Sequence, residues 1–340
     1  MKKNLCATLL ALILNGCSPL FFNDPPPNTP ENVFNHFVQQ IEQNYSGKDV
    51  RAVNWDSLVR VYRPKISTQT TDNQLIETMS AMILPFGDYH LTYATPIRRY
   101  IPAADFDFPK PDSLPNFIND IAVANGLKTN LETYERLFTY AKTGSNIGYI
   151  KIPTFNVNLS PDYFDTILEQ LKDTKGLIID VRQNSGGQAG LAAMMAGRLV
   201  KTTEIYTYER TKIGPGKTDY SDFLSFTLKP SGEWQYNKPI VVLTSEYTYS
   251  AAIAFVLMLR TQAHITTLGT ATGDGLTKGV DRELPNGWRL QVPSELGYLP
   301  DKTVVEGSGG VKPKIAVMIS AKDRKNEIDT ILNSALELLK

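Results

Sequence analysis

Ser250, His90 and the glycine pair Gly186–Gly187 are the residues of this 340-residue chain whose types and neighbours suit covalent chemistry. Ser250 lies in "VVLTSEYTYSAA", where an apolar run reads as a buried strand and the serine opens the following helix. Helical N–H groups and the positive dipole end favour a developing anion at such a place, so a serine hydroxyl there can attack a carbonyl. Ser250, Thr248 or Ser245 can equally serve simply as a cap of that helix. A nucleophilic serine also requires a base for its proton and a group that orients the base. Three histidines are available: His36 among apolar neighbours of a helix, His264 between a helix and a short strand, and His90 in "GDYHLTY". His90 follows a helix in a glycine-started turn, from which a side chain can project into a cleft. The stretch "KGLIIDVRQNSGGQAG" ends another apolar run in a glycine elbow. Glycine there lets backbone N–H groups face a reacting atom with no side chain in the way.

These residues need elements to hold them. "IGYIKIPTF" reads as a strand and "SPDYFDTILEQLKD" as a helix opened by Ser160 with Pro161 at its first position. "GLIIDVR" reads as a second strand, making a parallel pair buried on both faces. "AGLAAMMAGRLV", "KPIVVLTS" and "YSAAIAFVLMLR" repeat the helix, strand, helix alternation, so residues 147–340 are expected to form an α/β core. Residues 31–97 read as a small helical N-terminal domain. Val33, Phe34, Phe37, Val38 and Ile41 share one helix face, Asn54 or Asp56 caps a second helix, and a third is capped near Thr71 and closed around Pro85 and Gly87. Residues 98–146 form a connecting segment, with a proline-spaced loop followed by "TNLETYERLFTYAKTG", which reads as helical.

The first seventeen residues, "MKKNLCATLLALILNGC", have the layout of an export signal and resemble a bacterial lipoprotein signal. That resemblance implies cleavage before Cys17, a lipid on Cys17 that holds the chain to a bilayer, and, from Ser18, the outer membrane of a Gram-negative envelope. Residues 18–30, rich in proline, suit an extended tether. Cys6 lies inside the signal, so the mature chain would hold Cys17 alone, with no disulfide. Equal numbers of acidic and basic side chains, 35 each, argue against nucleic acid as a partner. The scattered histidines lack metal-ligand spacing, and no metal or cofactor is expected.

Taken together, "GLIIDVRQNSGG", "LTSEYTYSAA", "FGDYHLTY" and "VEGSGGVKPKIAV" resemble the C-terminal-processing and tricorn-core family of serine peptidases. The resemblance runs over about residues 31–318 and implies a ClpP/crotonase-like core. It implies Ser250 as nucleophile, His90 as general base in the tricorn-like branch, and Glu306 as the carboxylate that orients and stabilises the imidazole. It also implies Gly187 and the N–H of Ala251 as oxyanion donors. The processing-protease branch uses a lysine instead, for which Lys278 in "TATGDGLTKG" is the candidate. About fifty residues separate the histidine motif from the core, with no glycine-rich carboxylate-binding loop, so no PDZ domain is inferred. The function implied is a cell-envelope serine endopeptidase acting on peptides or unfolded proteins. The alternative is a non-catalytic ligand- or peptide-binding module on the same fold.

Overall fold

The computed structural model describes residues 26–102 and 119–340, apart from 136, 159 and 161. The signal expected over 1–17, Cys17, most of the tether, much of the proline-spaced loop and Pro161 lie outside the described residues.

The chain enters through a helical layer. Helix α1 (Pro30–Asn44) is capped by Thr29 and buries Val33, Phe34, Phe37, Val38 and Ile41, the face expected from their spacing. A single turn, α2 (Gly47–Val50), leads to α3 (Trp55–Tyr62), whose cap is Asn54. Helix α4 (Asp72–Ile83) opens on a reciprocal capping box between Thr71 and Gln74. It runs into a short 3₁₀ turn closed by Gly87 at φ +61°.

The layer does not end as an independent helical unit. Strand β1 (Thr92–Ala94) pairs with β2 (Arg99–Tyr100) on one side and, on the other, with a hairpin nearly two hundred residues away. The sheet order is β11 (Gly279–Glu283), β12 (Arg289–Pro293), β1, β2. The hairpin turns at Asn286–Gly287, as its sequence predicts, with Gly287 at φ +78°. Leu284, Trp288, Leu290 and Val292 of the hairpin join Phe34, Phe37, Met79 and Tyr93 in one apolar cluster. The boundary expected near residue 97 is therefore crossed by a shared core, because a three-residue strand is stable only when paired and covered.

The main sheet has seven strands among the described residues. Its strands in chain order are β3 (Glu132–Tyr134), β4 (Phe138–Lys142), β5 (Ile147–Lys151), β6 (Gly176–Asp180), β9 (Ile240–Thr244), β10 (Ile265–Gly269) and β14 (Ile315–Ala316). Their spatial order is β14-β10-β9-β6-β5-β4-β3, parallel from β14 to β5. The remaining strands, β7 (Glu204–Thr211), β8 (Leu224–Leu228) and β13 (Glu295–Tyr298), make a small antiparallel sheet. Leu177 and Ile179 pack on one face of the main sheet with α6 (Asp162–Leu171), α7 (Ala189–Gly197) and α8 (Ala251–Arg260). Ile178, Val241 and Leu243 pack on the other with α5 (Asp120–Leu127) and α10 (Thr330–Leu338), which follows a short α9 (Ala321–Lys325). Burial on both faces explains the unbroken apolar runs of β6 and β9. Residues 129–144, read as helical, form the β3–β4 hairpin instead. Pairing of Thr133 with Thr139 and Tyr134 with Phe138, together with the Tyr140 hydroxyl donating to Glu132 at 2.8 Å, outweighs the helix propensity of Leu131 and Glu132.

The charged pair that ends β6 is also explained. Arg182 donates to both oxygens of Asp180 and both of Asp329, at 2.6–3.0 Å, and all three are buried. Asp329 in turn caps α10, so this paired charge ties the end of the central strand to the last helix.

Candidate active site

Ser250 sits between the end of β9 and the first residue of α8. Its backbone is at φ 55°, ψ −125°, a conformation that costs a non-glycine residue of order 1–3 kcal/mol and persists only where the surroundings impose it. The imposing contacts are visible. The Thr248 hydroxyl donates to the Val181 carbonyl at 2.9 Å and the Ser245 hydroxyl to that of Arg182 at 2.5 Å, both at the end of β6. The N–H of Ser250 donates to the Gly275 carbonyl at 3.1 Å. None of the three hydroxyl residues caps α8 with its side chain. The Ser250 Oγ lies 3.1 Å from His90 Nε2 instead.

His90 reaches this point from the turn after α4. Its N–H donates to Asp88 Oδ1 at 2.9 Å, and its ring lies tilted against Tyr249 with centroids 4.9 Å apart. Burial is the main cause that lowers its pKa, with Arg51 and Lys278 acting in the same direction and Asp88 and the Thr277 backbone opposing. The ring is therefore held in the neutral form that a general base requires. With the proton on Nδ1, the Ser250 hydroxyl donates to Nε2.

The glycine elbow packs directly against Ser250. A Cβ on Gly186 would stand 2.7 Å from Ser250 Cβ, and one on Gly187 would stand 2.2 Å from the backbone of Phe155 and Asn156. Gly186 N–H donates to Asn184 Oδ1 at 2.8 Å, while its carbonyl and that of Phe155 are taken by Phe155 N and Gln188 N. Among the described residues the N–H of Gly187 and that of Ala251 have no protein acceptor, and both residues line the cleft that holds Ser250 and His90. Two donors beside a hydroxyl paired with imidazole are the elements of an oxyanion hole.

Glu306 is buried at the same centre but does not meet the imidazole. Its Oε1 accepts from Leu276 N, Thr277 N and Thr277 Oγ1 at 3.1–3.3 Å, and its Oε2 accepts from Gly297 N at 2.7 Å. Burial pushes its pKa up to about 7 against the pull of these donors. His90 Nδ1 has no hydrogen-bond partner among the described residues. The expected direct carboxylate–imidazole contact is thus replaced by an indirect one. Glu306 fixes the 276–277 backbone, and Thr277 lies beside the ring.

Lys278 lines the cleft with an exposed side chain, and it is His90 rather than this lysine that pairs with the Ser250 hydroxyl. His36 and His264 are engaged elsewhere, with Gln40 and the Leu199 carbonyl. The cleft has a volume of about 1060 Å³ and also carries Arg99, Glu209 and Gln291 on its walls. The sequence reading passed over Asp88, Arg51 and Tyr249. Asp88, two residues before His90, carried a signal, since aspartate commonly accepts the backbone N–H two residues on.

Comparison with known proteins places the sequence and the fold. The sequence model described as peptidase family S41 matches residues 146–317, and that of the tricorn protease C1 domain matches residues 26–83. A candidate peptidase of Parabacteroides merdae is similar at a TM-score of 0.80 and 25% identity, over 92% of this chain and 97% of that one. Mature CPAF in complex with lactacystin is similar at a TM-score of 0.66 and 13% identity, over 91% and 99%. The photosystem II D1 C-terminal processing protease follows at 0.56 and 15%, over 90% and 98%. Family match, fold and the paired hydroxyl and imidazole converge: the chain belongs to peptidase family S41 and is a serine peptidase.

Proposed function

We propose that this chain is a cell-envelope serine endopeptidase that cleaves peptides or unfolded proteins through Ser250, His90 and Glu306. The observation that carries this reading is the 3.1 Å pairing of Ser250 Oγ with His90 Nε2, at a serine of strained backbone flanked by two unused N–H donors. His90 takes the hydroxyl proton as Oγ attacks the scissile carbonyl, and the N–H groups of Gly187 and Ala251 receive the oxyanion. Each such donor is typically worth ~3 kcal/mol in the transition state. The imidazolium then gives its proton to the leaving amine, leaving an acyl-enzyme. Water, deprotonated by the same imidazole, releases the acid and restores the serine. Glu306 acts at one remove, by holding the backbone beside the ring.

Incubation of the mature soluble chain with an unfolded protein, followed by mass spectrometry, is expected to reveal internal cleavages that vanish in Ser250→Ala. Cleavage persisting in that variant would overturn the reading. The envelope part is tested separately. Cys17→Ser is expected to abolish incorporation of labelled fatty acid and to leave the chain soluble or unprocessed, whereas unchanged detergent partitioning would refute the anchor.

A further inference from the structure

His90 and Ser250 come from opposite parts of the chain, so something must fix their separation to within tenths of an ångström. A buried chain of polar contacts runs between their supports. The Tyr45 hydroxyl donates to Asp88 Oδ2 at 2.9 Å, and Asp88 Oδ1 accepts the N–H of His90 at 2.9 Å. Arg51 Nε stands 3.9 Å from Asp88 Oδ2. The other two nitrogens of Arg51 part company: Nη1 donates to the Phe86 carbonyl at 3.2 Å, at the base of the histidine turn, and Nη2 to the Asp274 carbonyl at 2.6 Å. The next residue, Gly275, is the one whose carbonyl holds the Ser250 N–H. Asp274 also accepts Gly307 N at 2.6 Å, directly after Glu306. One guanidinium thus touches the support of the base, the support of the nucleophile and, through Asp274, the segment carrying the carboxylate.

We propose that Arg51 and Asp88 are positioning residues of the peptidase reaction: Asp88 sets the turn that aims His90, and Arg51 clamps that turn to the 274–275 segment that anchors Ser250. The inference rests on the assignment of Ser250 and His90 as nucleophile and base. Tyr45, Asp88 and Arg51 are each at least nine-tenths shielded from solvent, so the contacts act in a medium where charge is poorly screened. Arg51 is suited to the task because its planar fork can hold two carbonyls and face a carboxylate at once, which lysine cannot.

A structural role alone would lower activity without choosing a direction in pH, whereas this arrangement chooses one. The charged groups facing His90 are Asp88 from its own turn, Arg51 from the loop after α2, and Lys278 from the segment before β11. Asp88 favours the imidazolium and Arg51 opposes it. Removing the Asp88 charge should therefore lower the pKa of the base and move the acid limb of kcat/KM to lower pH. Removing the Arg51 charge should move it to higher pH, the more so because Asp88 is then uncompensated.

The test compares Asp88→Asn, Arg51→Met and Arg51→Lys with the parent. Plateau kcat should fall roughly 10- to 100-fold in the first two, the scale of a misplaced reactant, with KM changed less than about threefold and the acid limbs displaced in opposite directions. Arg51→Lys should keep the parent's limb while losing kcat. Limbs that stay in place, or move together, would overturn the proposal, as would kcat within about threefold of the parent. A second readout needs no turnover. In a Ser250→Ala background the ring protons of the three histidines can be titrated by NMR, and the His90 resonance should move in the same opposite senses. If the unfolded protein remains uncut by the parent, the peptidase reading fails on its own. The NMR titration then still decides whether Asp88 and Arg51 govern His90. Should Asp88→Asn not fold, Tyr45→Phe removes only the hydroxyl held by Asp88, and a fall in kcat at constant KM is expected from it too.

Discussion

Replacing His90 with alanine is expected to lower kcat/KM for a peptide by about four to six orders of magnitude, the usual cost of losing the base of a nucleophile–base pair. Lys278→Ala is expected to cost roughly tenfold or less. The ranking follows from geometry. His90 Nε2 lies at hydrogen-bonding distance from the Ser250 hydroxyl, whereas the Lys278 side chain is exposed on the wall of the cleft. Without the imidazole, Oγ would have to attack as a neutral hydroxyl, and the leaving amine would depart without a proton donor. The oxyanion donors and substrate binding would survive, so a residual rate above that of water should remain. Glu306→Gln belongs between the two. Glutamine keeps one acceptor oxygen but places an amide where Gly297 N or Thr277 N now donates. Its loss should appear in kcat, with folding retained in thermal melting. Steady-state cleavage of a chromogenic peptide by the variants gives the order directly, and a larger loss in Lys278→Ala than in His90→Ala would transfer the role of base to lysine.

The second large effect is expected at Gly187. Its φ of +137° is closed to side chains, and an added Cβ would stand 2.2 Å from the backbone at Phe155–Asn156, which is held in place by paired hydrogen bonds to the elbow. Gly187→Ala must therefore rotate the peptide whose N–H faces the cleft. Loss of one oxyanion donor costs about 10²–10³ in kcat, and KM should change little because the interaction matures only in the transition state. Gly190→Ala is the control. Gly190 lies in helix α7, has ordinary φ, and an added Cβ there meets nothing within 4 Å. It should keep parental activity, with stability unchanged or slightly raised, as alanine is the better helix former. Parental kcat in Gly187→Ala would remove that N–H from the reaction.

The legible parts of the fold were those governed by burial or by local chemistry. Residues 176–180 and 240–244 announce themselves because a strand covered on both faces has no reason for polar interruptions. Gly187 and Ser250 stand out because each follows such a strand in residues that do not continue it, and His90 because it stands in the glycine-started turn that closes a helix. The hairpin at 132–142 was misread because its edge position lets helix formers such as Leu131 and Glu132 occupy a strand, so pairing decided what propensity could not. Strand β7 left little trace, since its burial follows no clean alternation. The partners of Glu306 were invisible for a different reason. Backbone N–H groups of Leu276, Thr277 and Gly297 belong to every residue type, so no spacing of letters marks them. Arg51 shares the difficulty, because two of its contacts are carbonyls.

His90 and Ser250 are 160 positions apart, joined through a layer whose first sheet is completed only by residues 279–293. Contacts of that span form late, after the chain between them has been ordered. A growing chain holds His90 long before Ser250, and Glu306 last of all. For a serine peptidase this order is a safeguard: the cutting edge does not exist while the enzyme is itself unfolded, so copies in mid-synthesis cannot digest one another.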